Sequence, residues 1–134
     1  MLDKETIELS QSFLQKAFKT LENIPVYIQM DDYLVAVNRS YYAAFYSLKA
    51  LEILDNYDSK KHSGVISRFR QQYIKTEICS NRYSNIIGKL QEAREVGDYN
   101  IIAEFSIDEA KEFYESAKDF VNEMQRLINN RIED

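Results

Sequence analysis

From Asp31 to Asn56 the chain runs without a glycine or a proline, and apolar residues recur along it at helical spacing on more than one side. Leu34, Tyr41, Phe45, Leu48 and Glu52 lie on one stripe, while Ala36, Ala43, Ala50 and Leu54 lie on another. A helix apolar on several sides has to be surrounded, so this segment predicts the buried centre of a helix bundle. Asp31 or Asp32 suits its start, because a carboxylate there caps free amides and meets the positive end of the helix dipole. Ala43 and Ala44 let a neighbouring helix approach closely.

The rest of the chain supplies the neighbours. A first helix is expected from Asp3 to Glu22, with Ile7, Leu14, Phe18 and Leu21 on one stripe, stopped by Asn23-Ile24-Pro25. After the turn Asn56-Tyr57-Asp58-Ser59, a third helix is expected from Lys61 to Thr76. It would place His62, Val65, Ile66, Phe69 and Tyr73 inside, and Arg68, Gln71, Gln72 and Lys75 outside. A fourth follows the polar break Ser80-Asn81-Arg82 and runs to Val96, with Gly97 as its stop. In the loop Asp98 to Phe105, the apolar pair Ile101-Ile102 is expected to fold back onto the bundle. Ser106-Ile107-Asp108-Glu109 reads as a capping box opening a last helix that holds register to about Asn130. The fold class is therefore all-α: an up-and-down bundle of four to five helices, one domain over residues 1–134, without a repeat.

Composition narrows the function classes. Three glycines and one proline are too few for a turn-rich β-sandwich or a disordered chain. Ten tyrosines beside seven phenylalanines and no tryptophan suit either a wet cavity or interface, or half-buried helix flanks. The lone Cys79 fits a reducing compartment, Met1 to Ser10 shows no secretory pattern, and no apolar run approaches the ~20 residues of a membrane span, so a cytoplasmic location is expected. One His and one Cys rule out Cys/His zinc sites, and no Glu stands three residues before His62 as bundle di-iron sites require, so no metal or cofactor is expected.

Charge is uneven along the chain. Residues 1–58 carry net −4, residues 59–91 net +6 and residues 92–134 net −7. Lys60 to Thr76 holds five Lys/Arg and no carboxylate, a pattern that either focuses a phosphate backbone or forms a solvated face balancing acidic neighbours. Within the central helix, Arg39, Tyr42 and Tyr46 share a face. An arginine among Tyr41, Tyr42, Phe45 and alanines is costly to bury alone. It must pair with a carboxylate, Asp98 being one candidate, or open into a cleft where its planar donor fork can hold phosphate.

Three stretches resemble the HEPN superfamily, in particular its short stand-alone prokaryotic, UPF0332-like branch. Arg39-Ser40-Tyr41-Tyr42-Ala43-Ala44-Phe45-Tyr46 is similar to that branch's Arg-(Ala/Ser)-Tyr-Tyr-Ala-x-Phe-His segment. Lys61-His62-Ser63-Gly64-Val65-Ile66-Ser67-Arg68-Phe69 and Glu92-Ala93-Arg94-Glu95-Val96-Gly97-Asp98-Tyr99 resemble two further stretches, in the same order. The resemblance implies a helical bundle that forms a homodimer with two motifs in one cleft. It also implies a place among metal-independent ribonucleases, toxins paired with a nucleotidyltransferase-like antitoxin, or inactive binding modules. Relatives carry His where this chain has Tyr46; phenols ordinarily titrate near 10, too high for a ready proton acceptor at neutral pH. Arg39 and Tyr46 therefore occupy a degenerate catalytic motif. The expected function is a binding module for RNA or nucleotide with weak or no nuclease activity, Arg39 being assisted by Lys60, Lys61, His62, Arg68 and Lys75. Tyr42, Arg94, Asp98 and Tyr99 are expected to be structural. An active ribonuclease using Tyr46 or His62, or a purely structural partner protein, are the alternatives.

Overall fold

The computed structural model describes residues 2–100 and 102–133. Among them the ordered elements are helical: α1 (Lys4–Gln29), α2 (Tyr33–Ile53), α3 (His62–Phe69) followed by a π-helical turn (Arg70–Ile74), α4 (Asn81–Tyr99) and α5 (Ile107–Glu133). α2 lies at the centre, and α1, α4 and α5 all pack on it. Ala36, Ala43, Ala44, Leu48, Ala50 and Leu51 are wholly buried there. The alanines do what their size suggests. Ser10 of α1 reaches across the close α1–α2 contact and donates its hydroxyl to the Ala50 carbonyl at 2.6 Å. Ser40 and Ser47, also buried in α2, return theirs to the carbonyls of Ala36 and Ala44. Asp32 caps α2 as expected, accepting from the Val35 amide. The capping box of α5 is formed in both directions, the Ser106 amide donating to Glu109 Oε1 at 3.0 Å and the Glu109 amide to Ser106 Oγ at 3.1 Å.

Four boundaries depart from expectation, three of them for a packing reason. Proline does not stop α1, because Pro25 points outward while Ile24 is fully buried and Tyr27 and Ile28 pack against the core. Continued burial offsets the missing Pro25 amide bond. Gly97 does not stop α4 either. A Cβ there would come within 2.9 Å of Leu34 Cδ1, so the glycine serves a close approach of α4 to α2. The third helix is not regular to Thr76, because the Lys75 amide bonds five residues back to Arg70. That π turn keeps Tyr73 buried below Phe69. α5 runs past Asn130 to Glu133. Ile102, expected to fold back, is instead 84 % exposed, and Ile101 lies outside the described residues. No helix among the described residues is long and apolar enough to cross a membrane, and they contain no metal-suited cluster of three or more His, Cys, Asp or Glu.

Candidate functional site

The turns of α2 that carry Arg39, Tyr42 and Tyr46 show this face to solvent beside α4 and the start of α3. The Tyr42 ring is its hub. Arg39 Cζ lies 4.8 Å from the ring centroid and Arg94 Cζ of α4 5.5 Å. The His62 ring meets it edge-on at 5.8 Å, and the Tyr46 ring is tilted at 5.9 Å. Lys16 of α1 closes the far end, its Nζ 4.4 Å from the Tyr46 centroid. Four elements thus surround one aromatic strip with three permanent cations and a histidine.

Arg39 is half-buried and donates from Nε and Nη2 to the neutral Asn38 Oδ1 at 3.2 and 3.0 Å. No ion pair among the described residues involves it. The pairing of Arg39 with Asp98 does not occur, because Asp98 is taken by Arg94, four residues earlier on the same helix, at 3.0 Å. That bond leaves the rest of the Arg94 fork against the Tyr41 and Tyr42 faces.

His62, the first residue of α3, stacks on Phe45 at 4.0 Å and exchanges a 2.8 Å hydrogen bond between Nδ1 and the buried Tyr41 hydroxyl. Burial, then the charges of Arg94 and Lys49, hold its imidazole below the usual histidine range. Burial likewise pushes the Tyr41 phenol well above the usual range, with the Arg94 charge opposing.

The basic stretch does not assemble on one surface. Lys60 and Lys61 are exposed in the loop before α3, near His62 in sequence. Arg68, expected outside, turns to Asp55 at 3.0 Å. There it joins Tyr73 and Arg131 on the same carboxylate, at the opposite end of α2 from Arg39. Burial raises Asp55, but the bonds from Tyr73, Arg68 and Arg131 outweigh it and hold the carboxyl below its usual range. Lys75 lines a separate groove with Arg70 and Ser84 at the start of α4. Tyr99 is 82 % exposed, so it contributes little to the core.

Sequence reasoning found the α2 residues because a single helix fixes their spacing. It gave Arg94 only a structural role and missed Lys16, since both arrive from other helices. The Arg94 motif was the only signal available, and Lys16 had none.

Residues 10–127 match the HEPN domain family. A UPF0332 protein of Thermotoga maritima is 28 % identical, with 97 % of each chain aligned. Two proteins of Methanocaldococcus jannaschii named as candidate toxins are each 30 % identical. One alignment covers 88 % of this chain and 80 % of the relative. The other covers 96 % and 95 %. With its helical bundle and these matches, the chain belongs to the HEPN domain family, in its UPF0332-like branch.

Proposed function

We propose that this chain is a toxin-like HEPN module that binds RNA through its phosphates at the Arg39 face, with nuclease activity weak or absent. The observation that carries this reading is Arg39 itself. It is a half-buried guanidinium without a carboxylate partner among the described residues, packed on the Tyr42 ring that Arg94 also contacts. Guanidinium forks suit phosphate oxygens, and the half-buried Tyr42 and Tyr46 rings border them. Tyr46, held between Tyr42 and Lys16, stands where the family motif has histidine.

Binding of a fluorescent single-stranded RNA tests the reading. Arg39→Ala should weaken binding roughly tenfold, the scale of one lost charge-assisted hydrogen bond. Wild-type affinity should also fall steeply with salt. Unchanged binding by Arg39→Ala would remove the phosphate role.

The proposal includes a homodimer and a nucleotidyltransferase-like partner, as the family resemblance implies. Exposed Leu34, which lines a groove with Val35, Gly97 and Phe105 on the side of α2 that packs on α4, is the apolar contact offered to a second copy. Light scattering of wild type and Leu34→Glu checks this, dimer against monomer being the expected contrast. One observation favours a rival reading as a working ribonuclease: His62 belongs to the same cluster as Arg39. Expression without its partner gene, followed by RNA analysis, separates the two; cleavage and growth arrest would favour the nuclease.

A further inference from the structure

We infer that His62 is a neutral hydrogen-bond donor for the bound phosphate, with its proton fixed on Nε2, and not a proton acceptor. The inference rests on the phosphate reading above and assigns a third group to that site.

The Tyr41 side chain is wholly buried, and its hydroxyl lies 2.8 Å from His62 Nδ1. A buried hydroxyl proton needs an acceptor. The other polar group against the Tyr41 ring is the Arg94 guanidinium, which carries donors only. The Tyr41 proton therefore goes to Nδ1. A neutral imidazole that accepts at Nδ1 carries its own proton at Nε2. The lowered His62 pKa, caused first by burial and then by Arg94 and Lys49, keeps the ring neutral around pH 7. The raised Tyr41 pKa keeps the phenol protonated and donating.

Nε2 itself makes no hydrogen bond among the described residues. The His62 side chain is only partly buried. The ring cannot swing away easily, because it is stacked on Phe45 at 4.0 Å while Tyr41 holds its other nitrogen. Arg39, Arg94 and His62 all border the Tyr42 ring, within 4.8, 5.5 and 5.8 Å of its centroid. A phosphate reached by all three would receive N–H donors from side chains on three helices. An imidazole in this tautomer has no free lone pair to take a proton from a 2′-hydroxyl. The same hydrogen bond that makes His62 a binding group disqualifies it as a replacement for the missing motif histidine.

The experiment is long-range 15N–1H correlation NMR of the full chain at pH 7, which distinguishes protonated from unprotonated ring nitrogens at the single histidine. It is combined with titration of a short single-stranded RNA. The expected result is the Nε2–H tautomer in the free protein and a perturbed Nε2 signal on RNA addition. His62→Ala should weaken RNA binding roughly tenfold, the scale of a hydrogen bond to a charged oxygen. Tyr41→Phe, which keeps the core apolar, should release the tautomer so that Nδ1–H becomes populated. An Nδ1–H tautomer in wild type overturns the inference. So does RNA that binds, and responds to Arg39→Ala, while leaving the Nε2 signal and His62→Ala affinity unchanged; in that case the phosphate reading stands. Absence of any RNA binding by wild type removes both.

Discussion

Glu52 sits in α2 with 1 % of its surface exposed, and neither carboxyl oxygen has a hydrogen-bond partner among the described residues. Burial pushes its pKa up to about 8, against the opposing charge of Arg68. A carboxyl whose folded pKa exceeds its unfolded value costs stability as pH rises. The unfolded chain ionises first, and the penalty grows until the folded pKa is passed. Glu52→Gln should therefore match wild type near pH 4 and become more stable by roughly 1–3 kcal/mol at pH 8, the cost of an unsatisfied buried group. Urea denaturation at the two pH values measures it, and a gap that does not widen with pH would contradict the account. Asp55 behaves in the opposite sense. Its carboxylate is held low by Tyr73, Arg68 and Arg131, so it adds stability above the ordinary carboxylate pKa and loses it as pH falls through the depressed value. Asp55→Ala should cost about 2–4 kcal/mol at pH 7, since two partly buried arginines lose their partner, and much less at pH 3. The sequence pattern put Glu52 on an apolar stripe. It did not reveal that Asp55, a turn residue by position, collects three donors from α3, the π turn and α5.

At the scale of elements, α1 tests how propensity yields to packing. Pro25 is exposed, and its ring removes one amide bond from the helix interior. Pro25→Ala should stabilise the chain by roughly 1–3 kcal/mol, a gain readable as a higher melting temperature. Unchanged stability would place the cost of the proline elsewhere. Gly97→Ala is a closer balance. The helix gains about 1 kcal/mol of propensity, while the exposed end of Leu34 must move aside from a 2.9 Å contact. Stability should change by less than about 1 kcal/mol, checked by the same melt. Punctuation rules make both residues stops because such rules describe the isolated chain. Ile24, Tyr27 and Ile28 packing beyond the proline, and α2 lying under Gly97, are long-range facts that local rules do not hold. Helix starts were more legible. Asp32 and the Ser106–Glu109 box act within a few residues, so their sequence signatures and their hydrogen bonds are the same event.

For the whole molecule, the central position of α2 was readable because only a surrounded helix is apolar on several sides. The basic block Lys60 to Lys75 was readable as charge but not as a surface. Three of its members part company in the fold: His62 goes to Tyr42, Arg68 to Asp55, and Lys75 to the groove by Ser84. Salt dependence of RNA binding should therefore report the Arg39 face rather than the full block. Lys75→Ala should leave affinity within about twofold of wild type, whereas Arg94→Ala should weaken it roughly tenfold. Anisotropy titrations of the two variants at one salt concentration decide the point.

The π turn at Arg70–Ile74 closes α3, its wide last turn carrying the Lys75 amide back to the Arg70 carbonyl. Five residues wound this way sweep about the same angle as four in an α turn, so the joint holds one residue more than its arc needs. Deleting Gln71 would draw the turn in to α spacing and leave the chain after Ile74 on nearly its present bearing. Tyr73, shifted by less than one helical step, is the residue that would feel it, through its bond to Asp55. One residue of slack is thus coiled into the joint between α3 and α4.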